Sequence, residues 1–355
     1  MDNPYKTQPP KAFWHSAIAE RNMLDIADMW DPKFDIKKHD PIATYGSCFA
    51  QHIGKALDSR GHNWLRCEPA VDGMSPANLS RYGYELFSSR TGNIYTTSQL
   101  RQWTSWAMEP KEMPSEIWED NGRFFDPFRP NLEPDGFASE AEVKRMQAQT
   151  LSAFKASIEK AKYMVFTLGL TERWRHKTKG YEYAMCPGTI AGEFDGSQHE
   201  FSNMSFQEVN ETLQKSVDNL RMINPDLRII FTVSPVNLTA TATQNHVLVA
   251  SAHSKSILRA VAGQMAILHD FIDYFPSYEV INNPLYRGTL LQPSLRGVNP
   301  FGVHTVMQTF FGALEGKFGK APKNVEPNGL SGVDPGIIDD LICEEELLFA
   351  FGENS

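Results

Sequence analysis

A three-layer α/β fold, with helices on both faces of a mostly parallel sheet, is the architecture this sequence predicts. Three observations carry that prediction. Short apolar, β-branched runs recur at 41–46 (PIATYG), 162–169 (KYMVFTLG) and 227–235 (LRIIFTVSP). Segments with helical periodicity stand between them. Each run closes on Gly or Pro with small polar residues beside it. A parallel crossover needs a helix's length of chain, and strands covered on both faces lose the apolar–polar alternation of a half-exposed sheet.

Taken in order, residues 1–40 read as a polar, proline-rich arm with a short helix around 18–29. The run at 41–46 is the first strand. CFAQHIGKALDSRG follows as an amphipathic helix: Phe49, Ile53 and Leu57 recur at i, i+4 and i+8, and Gly61 stands where a helix stops. Residues 65–150 differ. Trp103, Trp106, Trp118, Phe124, Phe125 and Phe128 lie among repeated Pro and Gly, which predicts an insertion of helices and ordered loops rather than sheet. SEAEVKRMQAQTLSAFKASIEKA is a long helix, and KYMVFTLG is the second strand. A helix around 208–222 precedes the third strand, LRIIFTVSP. HSKSILRAVAGQMAILHDFI is a further helix, and YEVIN, 278–282, reads as a fourth strand. The organisation expected is an arm (1–40), a main domain (41–320) carrying the insertion, and an acidic tail (321–355).

Bulk properties narrow the function. The chain has 355 residues, 41% hydrophobic and 22% charged, enough to bury a core without a disulfide or metal to hold it. The net charge of −9 and the lack of a long basic run argue against nucleic-acid or anionic-membrane surfaces as partners. The N-terminal stretch has no apolar segment of signal-peptide type, and no apolar run is long enough to span a bilayer. Cys48, Cys67, Cys186 and Cys343 show no paired spacing, so a reduced, cytoplasmic protein without a structural zinc site or other bound metal is expected.

Ligands of open parallel sheets bind at the carboxyl ends of strands. Here those ends carry Gly46-Ser47-Cys48, Gly169-Leu170-Thr171-Glu172 and Ser234-Pro235. Cys48 falls at the start of a helix, where unpaired N–H groups and the positive end of the helix dipole favour a thiolate and could receive an oxyanion. The plainer alternative is a small buried hydrophobe at Cys48 with Ser47 as the helix cap. Lys255 and Arg259 on one helix read as a solvated basic face rather than an anion site.

YGSCFAQHIGKAL resembles the motif of the GSCFA family, which is grouped with the SGNH hydrolases. GNIYTTSQL (92–100), DPFRP (126–130), FTLGLTERW (166–174), CPGT (186–189), TVSPV (232–236), SKSILRA (254–260) and YFPSYE (274–279) resemble family segments as well. The resemblance implies an SGNH-type, flavodoxin-like three-layer fold and acyl-transfer chemistry. Laid over the SGNH pattern, Gly46-Ser47-Cys48 stands for Gly-Asp-Ser, with Cys48 as nucleophile and Ser47 as the alternative. GLTE puts Thr171 and Glu172 in place of Asn and Asp. Asn93 would supply an oxyanion donor. In RGVNPFGVH, Asn299 occupies the place of the family-type His, and His304 becomes the expected base; His52, at i+4 from Cys48, competes, with His176 and His253 behind it.

The resemblance thus implies an O-acyltransferase, acetyl in the first instance, acting on a polysaccharide or glycan precursor. No bound cofactor is expected, and the expected donor is acyl-CoA or another activated thioester. An esterase, or a glycan-binding protein that has lost catalysis, are the rival expectations.

Overall fold

The computed structural model describes residues 3–319, 344–348 and 351, so the predicted tail lies outside the described residues apart from those last six. The chain divides into two compact units: residues 37–274 with 339–355, and residues 1–36 with 275–338.

In the larger unit, β1 (Ile42–Gly46) leads into α1 (Phe49–Ser59). Phe49, Ile53 and Leu57 are all buried, each contributing about 1.5–3 kcal/mol by leaving water. The helix ends as its sequence requires. Gly61 takes φ +72°, its N–H donates to Asp58 O, and His62 N–H donates to Leu57 O. The insertion holds α2 (Pro76–Arg81), α3 (Thr97–Met108) and a small hairpin of β2 (Trp118–Asp120) and β3 (Arg123–Phe125). It is therefore helical and loop-rich as expected, except for that hairpin. Its turn is Asn121-Gly122, both at positive φ, the pair that suits a two-residue hairpin turn. Next come α4 (Glu140–Lys160), β4 (Tyr163–Leu168), and a second hairpin of β5 (Glu172–His176) and β6 (His199–Asn203). Then follow α5 (Phe206–Ile223), β7 (Arg228–Val233), α6 (Val247–Leu268) and β8 (Ile272–Phe275).

The central sheet has the order β1-β4-β7-β8, with β1–β4 and β4–β7 parallel. β1 and β4 are buried along their whole length, and β7 from Ile229 on, which is why they read as continuous apolar runs. Helices cover both faces. Thr44 Oγ1 accepts from Trp64 Nε1, and Trp64 lies against Gly54 of α1. The next residue, Tyr45, points the other way, and its hydroxyl bonds Ser157 of α4. A one-residue parallel bridge joins Ile42 to Trp64 on the edge of β1 away from β4. The chain thus leaves β1 toward one side through α1 and reaches β4 on the other. The order reverses at β1, and such a reversal opens a crevice at the strands' carboxyl ends.

The smaller unit contains the arm, α7 (Ser277–Asn282) and α8 (Pro300–Phe318). Trp30 stacks on Phe310 at 5.0 Å and meets Phe275 edge-on at 5.1 Å; Lys317 pairs with Asp31 at 2.7 Å. Two expectations are corrected here. YEVIN is the helix α7, and the fourth strand is Ile272–Phe275, just before it. Pro276 caps α7 and its carbonyl accepts from Val280 N–H; Ser277, Val280 and Ile281 are buried at i, i+3 and i+4. In the arm, a π turn (His15–Ala19) and a 3-10 turn (Met23–Asp25) replace the single helix around 18–29. Asn22 caps the second turn, and Asp28 takes φ +60°, which an α-helix excludes.

Candidate active site at the carboxyl ends of β1 and β4

Gly46 has φ +129°, and a Cβ there would overlap the backbone of Thr167, so glycine is required by conformation and by space. Ser47 N–H donates to Thr167 O at 2.9 Å, which ties the turn to β4. Cys48 is already helical (φ −50°, ψ −34°), is 2% exposed and stands at the N-cap of α1. The thiol is thus at the predicted helix start, inside the protein surface. Ser47 Oγ and Thr167 Oγ1 are both buried without a hydrogen-bond partner. Such hydroxyls cost about 1–3 kcal/mol each, which makes unpaired ones at strand ends a mark of a site that has not been built for stability.

The loop 92–95 closes over this turn. Ile94 N–H donates to Gly46 O at 2.8 Å, and Asn93 Oδ1 accepts from Gln51 Nε2 at 3.2 Å. The amide oxygen of Asn93 therefore faces α1. The loop is held from behind by a buried ionic network. Arg129 pairs with Asp126 at 2.8 Å, both side chains fully enclosed, and Arg129 Nη1 donates to Arg90 O at 2.9 Å. Glu68 accepts from Arg90 N–H and from Thr150 Oγ1. The DPFRP segment is thus the clamp of the loop that carries Asn93.

The turn after β4 joins the same place. A Cβ on Gly169 would lie 2.9 Å from Ser47 Cβ and 3.1 Å from Tyr95 O, and the N–H groups of Gly169 and Leu170 both donate to Tyr95 O at 3.0 Å. Thr171 is held by partners outside the turn. Its hydroxyl donates to Asn203 Oδ1 at 2.7 Å, and its N–H donates to Ser254 Oγ at 3.1 Å. Thr171→Val should therefore destabilise the chain, by about 1–3 kcal/mol for the acceptor left buried, with less than a tenfold change in any acyl-enzyme formation. Chemical melts and acylation rates measured on one preparation check this. The reading of Lys255 as a solvated residue is corrected: it is 1% exposed and its Nζ donates to Gly169 O at 2.7 Å. Arg259 lies over the Tyr274 ring at 4.0 Å. SKSILRA thus anchors the turn at Gly169–Thr171.

The histidines separate by environment. His52 is 7% exposed, packs edge-on against Phe49, and burial pushes its pKa down to about 3. An imidazole so reluctant to take a proton is a poor general base at neutral pH. His176 is 4% exposed and packs on Tyr181, while His253 is on the exposed side of α6. In the smaller unit, Asn299 caps α8: its Oδ1 accepts from Gly302 N–H at 2.8 Å and its Nδ2 donates to the carbonyls of Thr289 and Leu291. His304 is half-buried on α8.

Beyond Tyr95 and Leu170 the larger unit opens into a cleft of about 280 Å³. Its walls are chiefly apolar, including Tyr95, Leu170, Trp174, Met185 and Leu238, with Leu348 and Phe351 at one side. Two carboxylates and a guanidinium are among its lining groups: Glu172, Glu182 and Arg173. The Glu172 carboxylate accepts from Thr241 Oγ1 at 2.6 Å and Ala242 N–H at 3.1 Å; burial raises its pKa against those bonds. Cys186 also lines the cleft, its thiol pushed up to about 11 by burial, which disfavours the thiolate. Arg173 and Glu182 were not singled out by sequence. The alternation E-R-W-R-H was the available signal, but the partner strand HEFSN lies far along the chain.

Glu182 is fully buried and accepts from Thr96 and Ser98 at the start of α3. Burial raises its pKa to about 7, from 4.5. The native state then holds a proton that the unfolded chain has lost between about pH 4.5 and 7, so stability falls as pH rises through that window. Melting temperatures from pH 5 to 8 should fall more steeply for the native chain than for Glu182→Gln. Parallel curves would mean that Glu182 titrates normally.

Fold and site together define a three-layer α/β protein with an apolar cleft near the strands' carboxyl ends and a strand-to-helix turn that carries a buried hydroxyl and a buried thiol. A family model described as GSCFA family matches residues 41–310, and the chain belongs to the GSCFA family. No curated protein matches it. Among the described residues, no helix is long and apolar enough to cross a membrane.

Proposed function

We propose that this chain transfers acyl groups through an acyl-cysteine at Cys48. The observation that carries the reading is the Gly46-Ser47-Cys48 turn, set at the reversal point of the sheet with the thiol at the N-terminus of α1. In the proposed reaction the Cys48 thiol gives its proton to a base and attacks the carbonyl of an acyl thioester such as acyl-CoA. The donor's thiol leaves with a proton. A sugar hydroxyl of a polysaccharide or glycan precursor then attacks the acyl-cysteine, and the Cys48 thiol is restored. Backbone N–H at Cys48 and Asn93 Nδ2 are the assigned oxyanion donors. The base is assigned to His304 from the sequence pattern, and the burial of His52 makes that residue the weaker candidate. Glu172 keeps the place of the acidic residue in GLTE. Water in place of the sugar makes the same machinery an esterase. A cytoplasmic location would supply acyl-CoA.

Two observations favour a second reading, a glycan-binding protein without catalysis. Asn299 serves as a helix cap where the SGNH pattern has its His, and the Thr171 hydroxyl is committed to Asn203. One experiment separates the two. The chain is incubated with acetyl-CoA and with N-acetylcysteamine thioesters, and its intact mass and peptide map are read. An acyl adduct on the Cys48 peptide supports transfer. No adduct from any donor, with saturable binding of oligosaccharides, supports the binding protein.

A further inference from the structure

We infer that the cleft lined by Leu170, Met185 and Leu238 is an acyl-chain site, taking a medium-length neutral acyl group with its carbonyl oxygen on Arg173 Nε. The side chain of Arg173 is 10% exposed. One end of its guanidinium pairs with Glu208 at 3.1 Å. Its Nε is buried in the cleft wall with no hydrogen-bond partner. A buried cationic donor left unpaired calls for an acceptor from outside the chain.

The rest of the cleft says what kind of acceptor. At about 30 Å³ for each water-sized or methylene-sized group, a volume of about 280 Å³ holds roughly nine of them. Acetyl would leave most of the cleft unfilled, and a palmitoyl chain would protrude. A free carboxylate would meet the acidic side chains of Glu172 and Glu182, whereas the carbonyl of a thioester or ester brings no charge. A sugar would set hydroxyls against Leu170, Met185 and Leu238 with nothing to bond them. The cleft connects to the Cys48 turn by one step: Tyr95 lines the cleft, its carbonyl accepts from Gly169 N–H, and Gly169 lies against Ser47. The choice of an acyl ligand rests on the acyl-transfer reading; the donor and the apolar volume do not.

The test is equilibrium binding by calorimetry to the full chain carrying Cys48→Ala, so that no covalent step intervenes. The probes are acetyl, butyryl, octanoyl and palmitoyl thioesters of N-acetylcysteamine. Affinity should climb about fourfold per methylene from acetyl to octanoyl and stop rising at palmitoyl. Arg173→Gln should weaken octanoyl binding by about tenfold or more. Ala240→Trp, at an exposed position on the rim, should block binding without lowering the melting temperature. Affinity independent of chain length, or unmoved by both substitutions, overturns the site. Adduct formation on Cys48 in the native chain without binding in the cleft overturns this inference alone. Binding in the cleft with no adduct from any donor sustains the site and overturns the transfer reading.

Discussion

Cys48→Ala should abolish acyl-enzyme formation, while Ser47→Ala should retain most of it. With no sulfur at position 48, the turn offers an acyl donor only the Ser47 hydroxyl, which is intrinsically far less nucleophilic at neutral pH than a thiol. Loss of a nucleophile commonly costs several orders of magnitude, and about 10⁴-fold or more is expected here. Cys48→Ala should leave the fold intact, since the thiol fills little volume at a helix start. His304→Asn should slow turnover by about 10²–10⁴-fold, the usual contribution of one proton-transfer group. Adduct mass in the first minutes gives the nucleophile, and steady-state thiol release gives the base. The reverse pattern, with Ser47→Ala silent and Cys48→Ala active, would move the nucleophile by one residue. The unpaired state of Ser47 Oγ makes that outcome worth measuring.

Arg129→Met should lower stability by about 3–5 kcal/mol, the usual result of removing one partner from a buried ion pair. Asp126 would keep its bonds from Phe128 N–H and Gln147 Nε2, each 3.0 Å, but face them as an enclosed, uncompensated charge. At about 2–4 °C per kcal/mol for a domain of this size class, the melting temperature should fall by roughly ten degrees. Asp126→Leu combined with Arg129→Met should recover much of the loss, because no orphan charge remains. A single-variant loss below about 1 kcal/mol would show that water reaches the pair. Because Arg129 also holds Arg90 O, any acylation activity should drop further than the stability loss explains, through loosening of the Asn93 loop.

The turn was legible in the sequence because strand, glycine and helix pattern are local and contiguous. β1, β4 and β7 were legible because burial on both faces leaves no polar alternation to confuse. The fourth strand was misplaced because Tyr, Val and Ile suit a strand and a buried short helix alike, and Pro276 between the two decides. Lys255 was misread because α6 is apolar nearly all round, so periodicity does not mark which side faces the sheet. The cleft was out of reach for a different reason. Arg173 and Glu182 acquire their meaning from non-local pairing, through the bridge of Arg175 to Glu182 and the bond of Thr96 to Glu182, and nothing local announces either.

The smaller unit draws on both ends of the described chain, with Trp30 seated on Phe310 and Phe275. On a ribosome adding about 5–20 residues per second, the aromatic partners of Trp30 emerge on the order of tens of seconds after it does. By the end of that interval the sequence of the central strands is complete, while Trp30 has waited throughout for the aromatic rings it packs on. The arm is therefore the segment a chaperone would find exposed on a nascent chain. Moving it to the C-terminus by circular permutation should shorten that exposure and raise the yield of soluble protein at high synthesis rates.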